Sequence, residues 1–482
     1  MRKFIALFLA PLAAVMLLFF EQSLFAQNVM IARFLVVALI MLIWWVTEII
    51  PLAVTALLPI ILFPIFGIMK GEAVASFYFN DILMLLLGGF LIAIALEKSG
   101  LHTRIATIIL RAFGDGPRKI LFGLMIANAF LSAWIANTTG TVMMIPIALA
   151  TLQVFSKSLS KLKQESMAKG LLLGIAYSSS IGGVSTLVGT PPNLIFHKIY
   201  HQTFPHLPQI SFTHWLAIGL PLSIVMLVIA WRVLIYMFDF PSGKDTARSV
   251  IDAPKRRLDW DETGVMIVFL ITIFLWIFRA DLNLGFAIVP GISRFLPHPD
   301  FLDDGVIAIG MAAILFLIPS KRPGQKTLLD SRAITEVPWD VILLFGGGFA
   351  LAAGFMSTGF SEWISQHLVA FSQLPLVGMV GIICTTSTFL SEIASNTAMS
   401  QVMMPVLAQL AIQTGLSPAL LMISATLSNS FSFMLPTSTP PNAIVFGTGK
   451  VPIRDMIKVG LILNLIGIIV VTLYMMLINY FI

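Results

Sequence analysis

The sequence SAWIANTTGTVMMIP at residues 132–146 recurs in modified form as SEIASNTAMSQVMMP at residues 391–405. The two stretches belong to longer segments, 81–146 and 340–405, that align at a constant offset of 259 residues. Polar and helix-breaking residues are repeated inside these apolar runs: Ser132, Asn137, Thr138 and Pro146 recur as Ser391, Asn396, Thr397 and Pro405. Such a duplication is typical of a transporter whose binding site is assembled from two half-sites.

A second repeated motif follows each copy of the first. GTPPN at residues 189–193 is matched by STPPN at residues 438–442, now at an offset of 249. Two consecutive prolines remove amide donors and clash with the preceding turn, so each motif predicts an interrupted helix. The repeats divide the chain into two halves, residues 1–240 and 261–482, separated by a linker at 241–260.

Composition indicates an integral membrane protein. Of the 482 residues, 58% are hydrophobic and only 11% are charged, and the mean hydropathy is +0.96. A soluble surface needs more charge, and several apolar runs are long enough to cross a bilayer. The net charge of +6 does not indicate a nucleic-acid partner, because the Lys and Arg residues lie in short loops without interleaved aromatic residues. We expect membrane lipid around the protein and no nucleic acid.

The fold predicted from these runs is an all-α membrane protein with eleven transmembrane helices and two re-entrant hairpins. The predicted spans are 4–20, 30–49, 52–68, 81–99, 170–197, 214–238, 262–278, 302–319, 340–358, 418–446 and 455–480. The segments 120–155 and 377–412 each carry a polar centre, which is tolerated at membrane depth only inside protein, so each is predicted to be a hairpin. The spans 170–197 and 418–446 contain the Pro-Pro-Asn motifs and are predicted to be broken helices.

Charges in the loops predict that the two halves are inverted relative to each other. Lys and Arg flank the first hairpin on both sides, whereas none occurs between Arg332 and Lys450, around the second. The positive-inside rule therefore places the flanks of the first hairpin in the cytoplasm and those of the second outside. We expect an inner (plasma) membrane protein with a cytoplasmic N-terminus, a cytoplasmic linker at 241–260 and an external C-terminus.

The motifs predict a site for an anion together with a small cation. Hairpin tips and helix breaks bring unpaired backbone groups to membrane depth. Helix N-termini favour an anion, while freed carbonyls and Ser, Thr and Asn oxygens suit sodium. No phosphate-binding Walker loop, zinc motif or nucleophile elbow occurs in the sequence, so we expect neither an enzyme nor an ATP-driven pump.

The paired Ser-Asn-Thr tips and paired Thr-Pro-Pro-Asn turns resemble those of the divalent anion/sodium symporter family. This family includes bacterial dicarboxylate transporters and animal sodium-coupled citrate and dicarboxylate carriers, and the resemblance covers nearly the whole chain. It implies import of a di- or tricarboxylate such as succinate, malate, fumarate or citrate, coupled to sodium. It also implies a homodimer in which a transport domain moves as an elevator against a scaffold domain.

The resemblance assigns roles to residues of both halves. It implies two or more sodium ions, bound by Ser132, Asn137 and Gly189 in the first half and by Ser391, Asn396 and Ser438 in the second. It implies that the substrate carboxylates contact Asn137, Thr138, Thr190, Ser395, Asn396, Thr397 and Thr439.

The sequence leaves three questions open. Ala136 stands where the family usually has Ser in the first tip, which leaves sodium dependence open and makes a sodium-independent carboxylate exchanger the alternative; nearby Thr139 could supply the missing hydroxyl. Sulfate is a less favoured substrate, because the broad set of hydroxyl and amide donors suits a larger ligand. Glu48 and Glu392 are acids inside apolar segments, and either could carry a proton or a cation.

Overall fold

The computed structural model describes residues 28–113, 116–156, 160–240, 257–283, 288–368 and 374–479, together with Met16, Leu18 and Phe19. Most of the predicted first span (4–20) and of the linker (241–260) lies outside these residues. Within them, the regular secondary structure is helical except for a short antiparallel pair, β1 (Leu282–Asn283) and β2 (Ile288–Val289).

The helices of the first half are α1 (Val29–Thr47), α2 (Leu52–Thr55), α3 (Leu58–Ile65), α4 (Gly71–Ser76), α5 (Asp81–Ser99), α6 (Leu101–Phe113), α7 (Pro117–Ser132), α8 (Asn137–Ser156), α9 (Lys161–Gly183), α10 (Pro191–Thr203) and α11 (Phe212–Met237). Those of the second half are α12 (Trp260–Phe278), α13 (Asp304–Leu315), α14 (Arg332–Glu336), α15 (Trp339–Ser357), α16 (Phe360–Leu368), α17 (Leu376–Ile393), α18 (Asn396–Thr414), α19 (Pro418–Ser430), α20 (Pro440–Gly447) and α21 (Ile453–Ile478). Short 3-10 turns occur at Ile292–Phe295 and Pro299–Phe301.

Seven helices in the described part of the chain are long and apolar enough to cross a membrane: α1, α4 with α5, α11, α12, α15, α17 and α21. The prediction of an all-helical membrane protein is confirmed. Other predicted spans consist of shorter pieces. The run 52–68 is divided between α2 and α3, the run 302–319 contains the 12-residue α13, and the two runs with Pro-Pro-Asn motifs are each divided into two helices.

The helices can be grouped into two bundles that share one hydrophobic core. In the first, α5 packs along α13 and against α12, while α15 packs on α2 and α3. The contact of α5 with α13 is so close that a Cβ atom added to Gly88 would lie 2.4 Å from the carbonyl carbon of Ala308. Only glycine allows this approach of two backbones, which explains one of the residues of the repeated segment.

The second bundle contains both hairpins and both broken helices. The chain reverses between α7 and α8 at 133–136 and between α17 and α18 at 394–395. The helix breaks span 184–190, between α9 and α10, and 431–439, between α19 and α20. Each hairpin packs against both broken helices: α8 contacts α9 and α20, and α18 contacts α19 and α10. This crossed packing brings the hairpin turns and the helix breaks together.

The proline motifs explain why the chain resumes a helix after each break. Pro191 and Pro440 each occupy the first position of the new helix, where a missing amide proton costs no helical hydrogen bond. The preceding residues, Thr190 (φ −146°, ψ 143°) and Thr439 (φ −142°, ψ 147°), have nearly the same extended backbone. The two motifs therefore have one local structure as well as one sequence pattern.

Candidate functional site

A cavity of about 930 Å³ lies where the hairpin turns meet the helix breaks. Its lining includes eight of the residues assigned from the sequence, four from each half: Asn137, Thr138, Gly189, Thr190, Ser395, Asn396, Thr397 and Thr439. The other three assigned residues, Ser132, Ser391 and Ser438, are buried and do not line the cavity. The structure thus brings residues 259 positions apart in sequence to the wall of a single cavity.

The first half-site is a compact cluster of oxygen atoms. Ser132 Oγ donates to Asn137 Oδ1 at 2.5 Å and lies 2.9 Å from Ser179 Oγ, and Ser179 donates to the Asn137 carbonyl at 2.8 Å. A Cβ atom added to Gly183 would lie 2.8 Å from Asn137 Oδ1 and 2.9 Å from the Gly189 carbonyl oxygen. Side-chain and backbone oxygens therefore lie close together beside Gly183, and oxygens of this kind are the ligands expected for a small cation.

The second half-site repeats part of this arrangement. Ser400 donates to the Asn396 carbonyl at 2.8 Å, as Thr141 does to the Asn137 carbonyl at 2.8 Å. Ser438 Oγ donates to the Leu435 carbonyl at 2.7 Å, and Ser391 Oγ donates to the Thr388 carbonyl at 2.9 Å. Ser391 Oγ keeps its lone pairs for a cation, whereas Ser438 Oγ also accepts from Asn442 Nδ2 at 3.1 Å and keeps one.

Buried polar atoms without a hydrogen-bond partner occur at matching positions of the two halves. Oγ1 of Thr190 and Thr439 and Oδ1 of Asn193 and Asn442 are all in this state. Leaving such an atom unpaired costs about 1–3 kcal/mol, so the two threonine hydroxyls gain a partner if a ligand binds in the cavity. Thr190 and Thr439 line the cavity and can donate to a carboxylate.

Four helices begin at the cavity. α8 begins at Asn137, α18 at Asn396, and α10 and α20 begin directly after Thr190 and Thr439. Unpaired amides and the helix dipole at each N-terminus favour a negative charge. Lys98, at the edge of the cavity, is the one Lys or Arg among the described residues of the lining. An anion bound at the tips would be stabilised by dipoles, hydroxyls and amides.

The edge of the cavity that holds Lys98 is charged. Glu97, Lys98 and Glu336 line it, and Lys98 Nζ lies 2.9 Å from a Glu336 carboxylate oxygen. Arg322 donates from its guanidinium to the carbonyl oxygens of Lys98 (2.5 Å) and Ser99 (2.6 Å). This edge therefore adjoins the basic loop 320–333.

Sequence reasoning missed Ser179, which contacts both Ser132 and Asn137. The missed signal is again a repeat: Ser179 recurs as Ser428 at the offset of 249 that relates the Pro-Pro-Asn motifs. Both serines are buried, and Ser428 Oγ has no hydrogen-bond partner.

The residues whose roles the sequence leaves open lie in different parts of the structure. Ala136 and Thr139 both line the cavity. Glu48 ends α1 in a left-handed backbone conformation (φ 47°) and does not line the cavity. Glu392 is buried in the second hairpin directly beside Ser391. Among the described residues, no group of three or more His, Cys, Asp or Glu side chains could hold a metal ion.

Comparisons with known proteins agree with the motifs. The family described as "Sodium:sulfate symporter transmembrane region" matches residues 2–481. The sodium-dependent dicarboxylate transporter SdcS of Staphylococcus saprophyticus is 38% identical over 484 residues, covering 98% of this chain and 90% of the relative. The transporter of the same name from Staphylococcus aureus strain NCTC 8325 is 37% identical with the same coverage.

A solved structure shares the fold. The YdaH transporter of Alcanivorax borkumensis superposes with a TM-score of 0.53 at 15% sequence identity, covering 84% of this chain and 85% of that one. At this identity the likeness concerns the fold alone.

Proposed function

Because this chain belongs to the sodium:sulfate symporter family, we propose that it imports di- or tricarboxylates across the inner (plasma) membrane, coupled to sodium. Succinate, malate, fumarate and citrate are the candidate substrates. The observation that carries the proposal is the single cavity lined by both hairpin turns and both helix breaks. The relatives that match nearly the full length are named sodium-dependent dicarboxylate transporters, which supports the same substrate class.

The donors of the cavity suit a ligand with two separated carboxylates. Asn137, Thr138 and Thr190 face it from one half, and Ser395, Asn396, Thr397 and Thr439 from the other. Each hydrogen bond to a charged group contributes about 1.5–3 kcal/mol, so donors on two sides favour a ligand with a charge at each end. A volume of about 930 Å³ leaves ample space for a four- to six-carbon acid. Sulfate would use fewer of these donors.

Two sodium ions are proposed, one in each half-site. The first is assigned to Ser132, Asn137 and Gly189, and the second to Ser391, Asn396 and Ser438. The oxygen cluster around Asn137 supports the first assignment, and the lone pairs left on Ser391 Oγ and Ser438 Oγ support the second. Bound cations would offset the charge of the substrate, since no Lys, Arg or His lies among these residues.

Transport is proposed to proceed by alternating access in a homodimer. The bundle of α7–α11 and α17–α21 is the moving transport domain, and the bundle of α1–α5, α12, α13 and α15 is the scaffold. The cavity reaches Glu97, Lys98 and Glu336, beside the basic loop 320–333 that is expected in the cytoplasm. We therefore assign this structure to the inward-open state, with the N-terminus cytoplasmic and the C-terminus outside.

A sodium-independent exchanger is the second candidate, and Ala136 favours it. Ala136 lines the cavity where a serine hydroxyl would otherwise contact sodium or carboxylate. The two functions differ in what drives uptake. A symporter responds to a sodium gradient with empty liposomes, whereas an exchanger needs a carboxylate inside.

Reconstituted liposomes test the proposal. Labelled succinate uptake is measured with an inward sodium gradient, with the same gradient of potassium, and with unlabelled succinate inside but no sodium. Symport predicts uptake in the first condition only. Uptake only with internal succinate would establish exchange, and no uptake of succinate, malate, fumarate or citrate in any condition would refute the proposed substrate class.

A further inference from the structure

The two helix breaks are held by different chemistry at equivalent positions. In the first half, Trp215 Nε1 donates to the Val184 carbonyl at 3.0 Å. In the second half, Asn464 Oδ1 accepts from the Phe433 amide at 3.1 Å. Trp215 and Asn464 are 249 residues apart, and so are Val184 and Phe433. At equivalent positions, each break is thus hydrogen-bonded to the long helix that follows it. The helix supplies an indole donor in the first half and an amide oxygen acceptor in the second.

The hairpin turn takes part in the same contact, again differently in the two halves. In the first half Thr186 Oγ1 donates to the Ala133 carbonyl at 2.5 Å. At the position of Ala133 the second half has Glu392, and its carboxylate accepts from the amides of Met434 (2.8 Å) and Leu435 (2.9 Å). The second half keeps a hydroxyl-to-carbonyl bond, from Thr437 Oγ1 to the Glu392 carbonyl at 3.4 Å, and adds an acidic connection that the first half lacks.

Glu392 is deeply buried and held by N–H donors. Glu392 is 3% exposed. In addition to the amides of Met434 and Leu435, its carboxylate accepts from Asn464 Nδ2 at 2.7 Å. Three N–H donors shared between two oxygens match a carboxylate, which accepts at both oxygens. Among the described residues, no Lys, Arg or His forms an ion pair with Glu392. A buried acid with no basic partner is costly, which argues for a role beyond packing.

A chain of hydrogen bonds connects Glu392 to the second half-site. Leu435 donates its amide to Glu392, and its carbonyl accepts from Ser438 Oγ (2.7 Å) and Asn442 Nδ2 (3.1 Å). Ser438 is assigned to the second sodium ion, and Glu392 also directly follows Ser391 in sequence. The carboxylate is therefore hydrogen-bonded to the break that presents Ser438, and it belongs to the residue that adjoins Ser391.

Resting on the proposed function, we propose that Glu392 is the positioning residue of the second sodium half-site and makes that half-site the tighter of the two. The first half-site, with Ala133 at the equivalent position, lacks this charge. Sodium would then bind the second half-site at lower concentration than the first.

Two variants test this proposal together with a matched control. Glu392→Gln keeps the size of the side chain and removes its charge, whereas Glu392→Asp keeps the charge on a shorter chain. Trp215→Phe removes a neutral hydrogen bond that holds the break of the first half. The readouts are protection by sodium against thermal unfolding in detergent, without substrate, and the sodium concentration that half-saturates succinate uptake in liposomes.

We expect Glu392→Gln to raise the half-saturating sodium concentration at least about tenfold, the factor expected for losing a hydrogen-bonded charge. The succinate KM should rise at low sodium and recover at high sodium, with a maximal rate close to that of the unmodified chain. The half-saturating sodium concentration of Glu392→Asp should lie between that of the unmodified chain and that of Glu392→Gln. Trp215→Phe should change this concentration less than about threefold.

Three results would overturn the inference. The first is an unchanged half-saturating sodium concentration in Glu392→Gln, and the second is a lower maximal rate of this variant with unchanged sodium dependence. The third is an equal rise of the half-saturating sodium concentration in Glu392→Gln and Glu392→Asp. If Glu392→Gln does not fold, a sodium dependence in Glu392→Asp equal to that of the unmodified chain has the same meaning. If the unmodified chain shows neither sodium protection nor sodium-dependent uptake, the proposed function itself fails.

Discussion

Asn193 and Asn442 make the same hydrogen bonds in the two halves of the molecule. Asn193 Nδ2 donates to the carbonyls of Gly183 (3.1 Å) and Thr186 (2.7 Å). Asn442 Nδ2 donates to the equivalent carbonyls 249 residues later, at 3.4 Å and 3.1 Å. Each asparagine thus closes a helix break by satisfying carbonyls that no longer have helical partners. The sequence repeat is therefore also a repeat of hydrogen bonds.

This pair gives the first prediction. Asn193→Asp and Asn442→Asp each remove the donating amide and direct a carboxylate at carbonyl oxygens. We expect each to lower succinate uptake at least about tenfold and to lower the melting temperature, because buried acceptors lose their partner. Uptake within twofold of the unmodified chain in either variant would show that the breaks do not depend on these asparagines.

The second prediction concerns Asn396, which begins α18 and is assigned to both substrate and sodium. Asn396→Ala removes a proposed cation ligand and a proposed carboxylate donor together, and we expect it to abolish uptake while leaving the proposed homodimer intact. Uptake and light scattering after size-exclusion chromatography check the two parts. Thr385→Ala, at an exposed position of α17, is the control and should transport normally. Normal transport by Asn396→Ala would refute the site assignment.

The third prediction concerns the hydroxyl missing at Ala136. Thr139 lines the cavity one helical turn further on and can supply the hydroxyl to the substrate. Thr139→Val should raise the succinate KM about tenfold, the loss expected for a hydrogen bond to a charged group. Ala136→Ser added to Thr139→Val should restore most of the affinity. An unchanged KM in Thr139→Val would mean that the site operates without this hydroxyl.

The fourth prediction concerns an ion pair between the two bundles. Lys198 on α10 pairs with Asp81 at the start of α5. Both lie on the side that the loop charges place outside, so the pair should stabilise the inward-open state. Lys198→Met should shift the population toward the outward-open state.

Labelling of a single cysteine measures this shift. Cys384 is the sole cysteine of the chain and is buried, so Cys384→Ser supplies a suitable background. Thr138→Cys in this background should react with an impermeant maleimide from the cytoplasmic side. Adding Lys198→Met should increase the reaction from the outside. A cysteine at 138 that reacts from the outside alone would contradict the inward-open assignment.

Much of the site could be predicted because its residues are polar and repeated within apolar runs. Asn137 and Asn396 stood out for this reason, and the structure places both at one cavity. Ser179 was missed because one serine among the three at 178–180 carries no signal until the second offset is applied to it. Glu392 stayed open because its partners lie 42 to 72 residues away in sequence and depend on tertiary packing.

The helix count shows a different limit. The amphipathic helices α6 and α16 were not predicted, because their polar residues interrupt the apolar runs on which the spans were based. Prolines limit helices that were predicted as continuous: α3 begins with Pro59 in its first turn and ends just after Pro64. The conformational state depends on how two bundles pack, which no local pattern encodes.

Coupling is tested most directly by measuring both fluxes in the same liposomes. With equal sodium on both sides, an inward succinate gradient is imposed and the accumulation of radioactive sodium is followed. The account predicts that sodium enters together with succinate, at two or more ions per molecule, and that both fluxes disappear in Asn396→Ala. Succinate entry without any movement of sodium would contradict it.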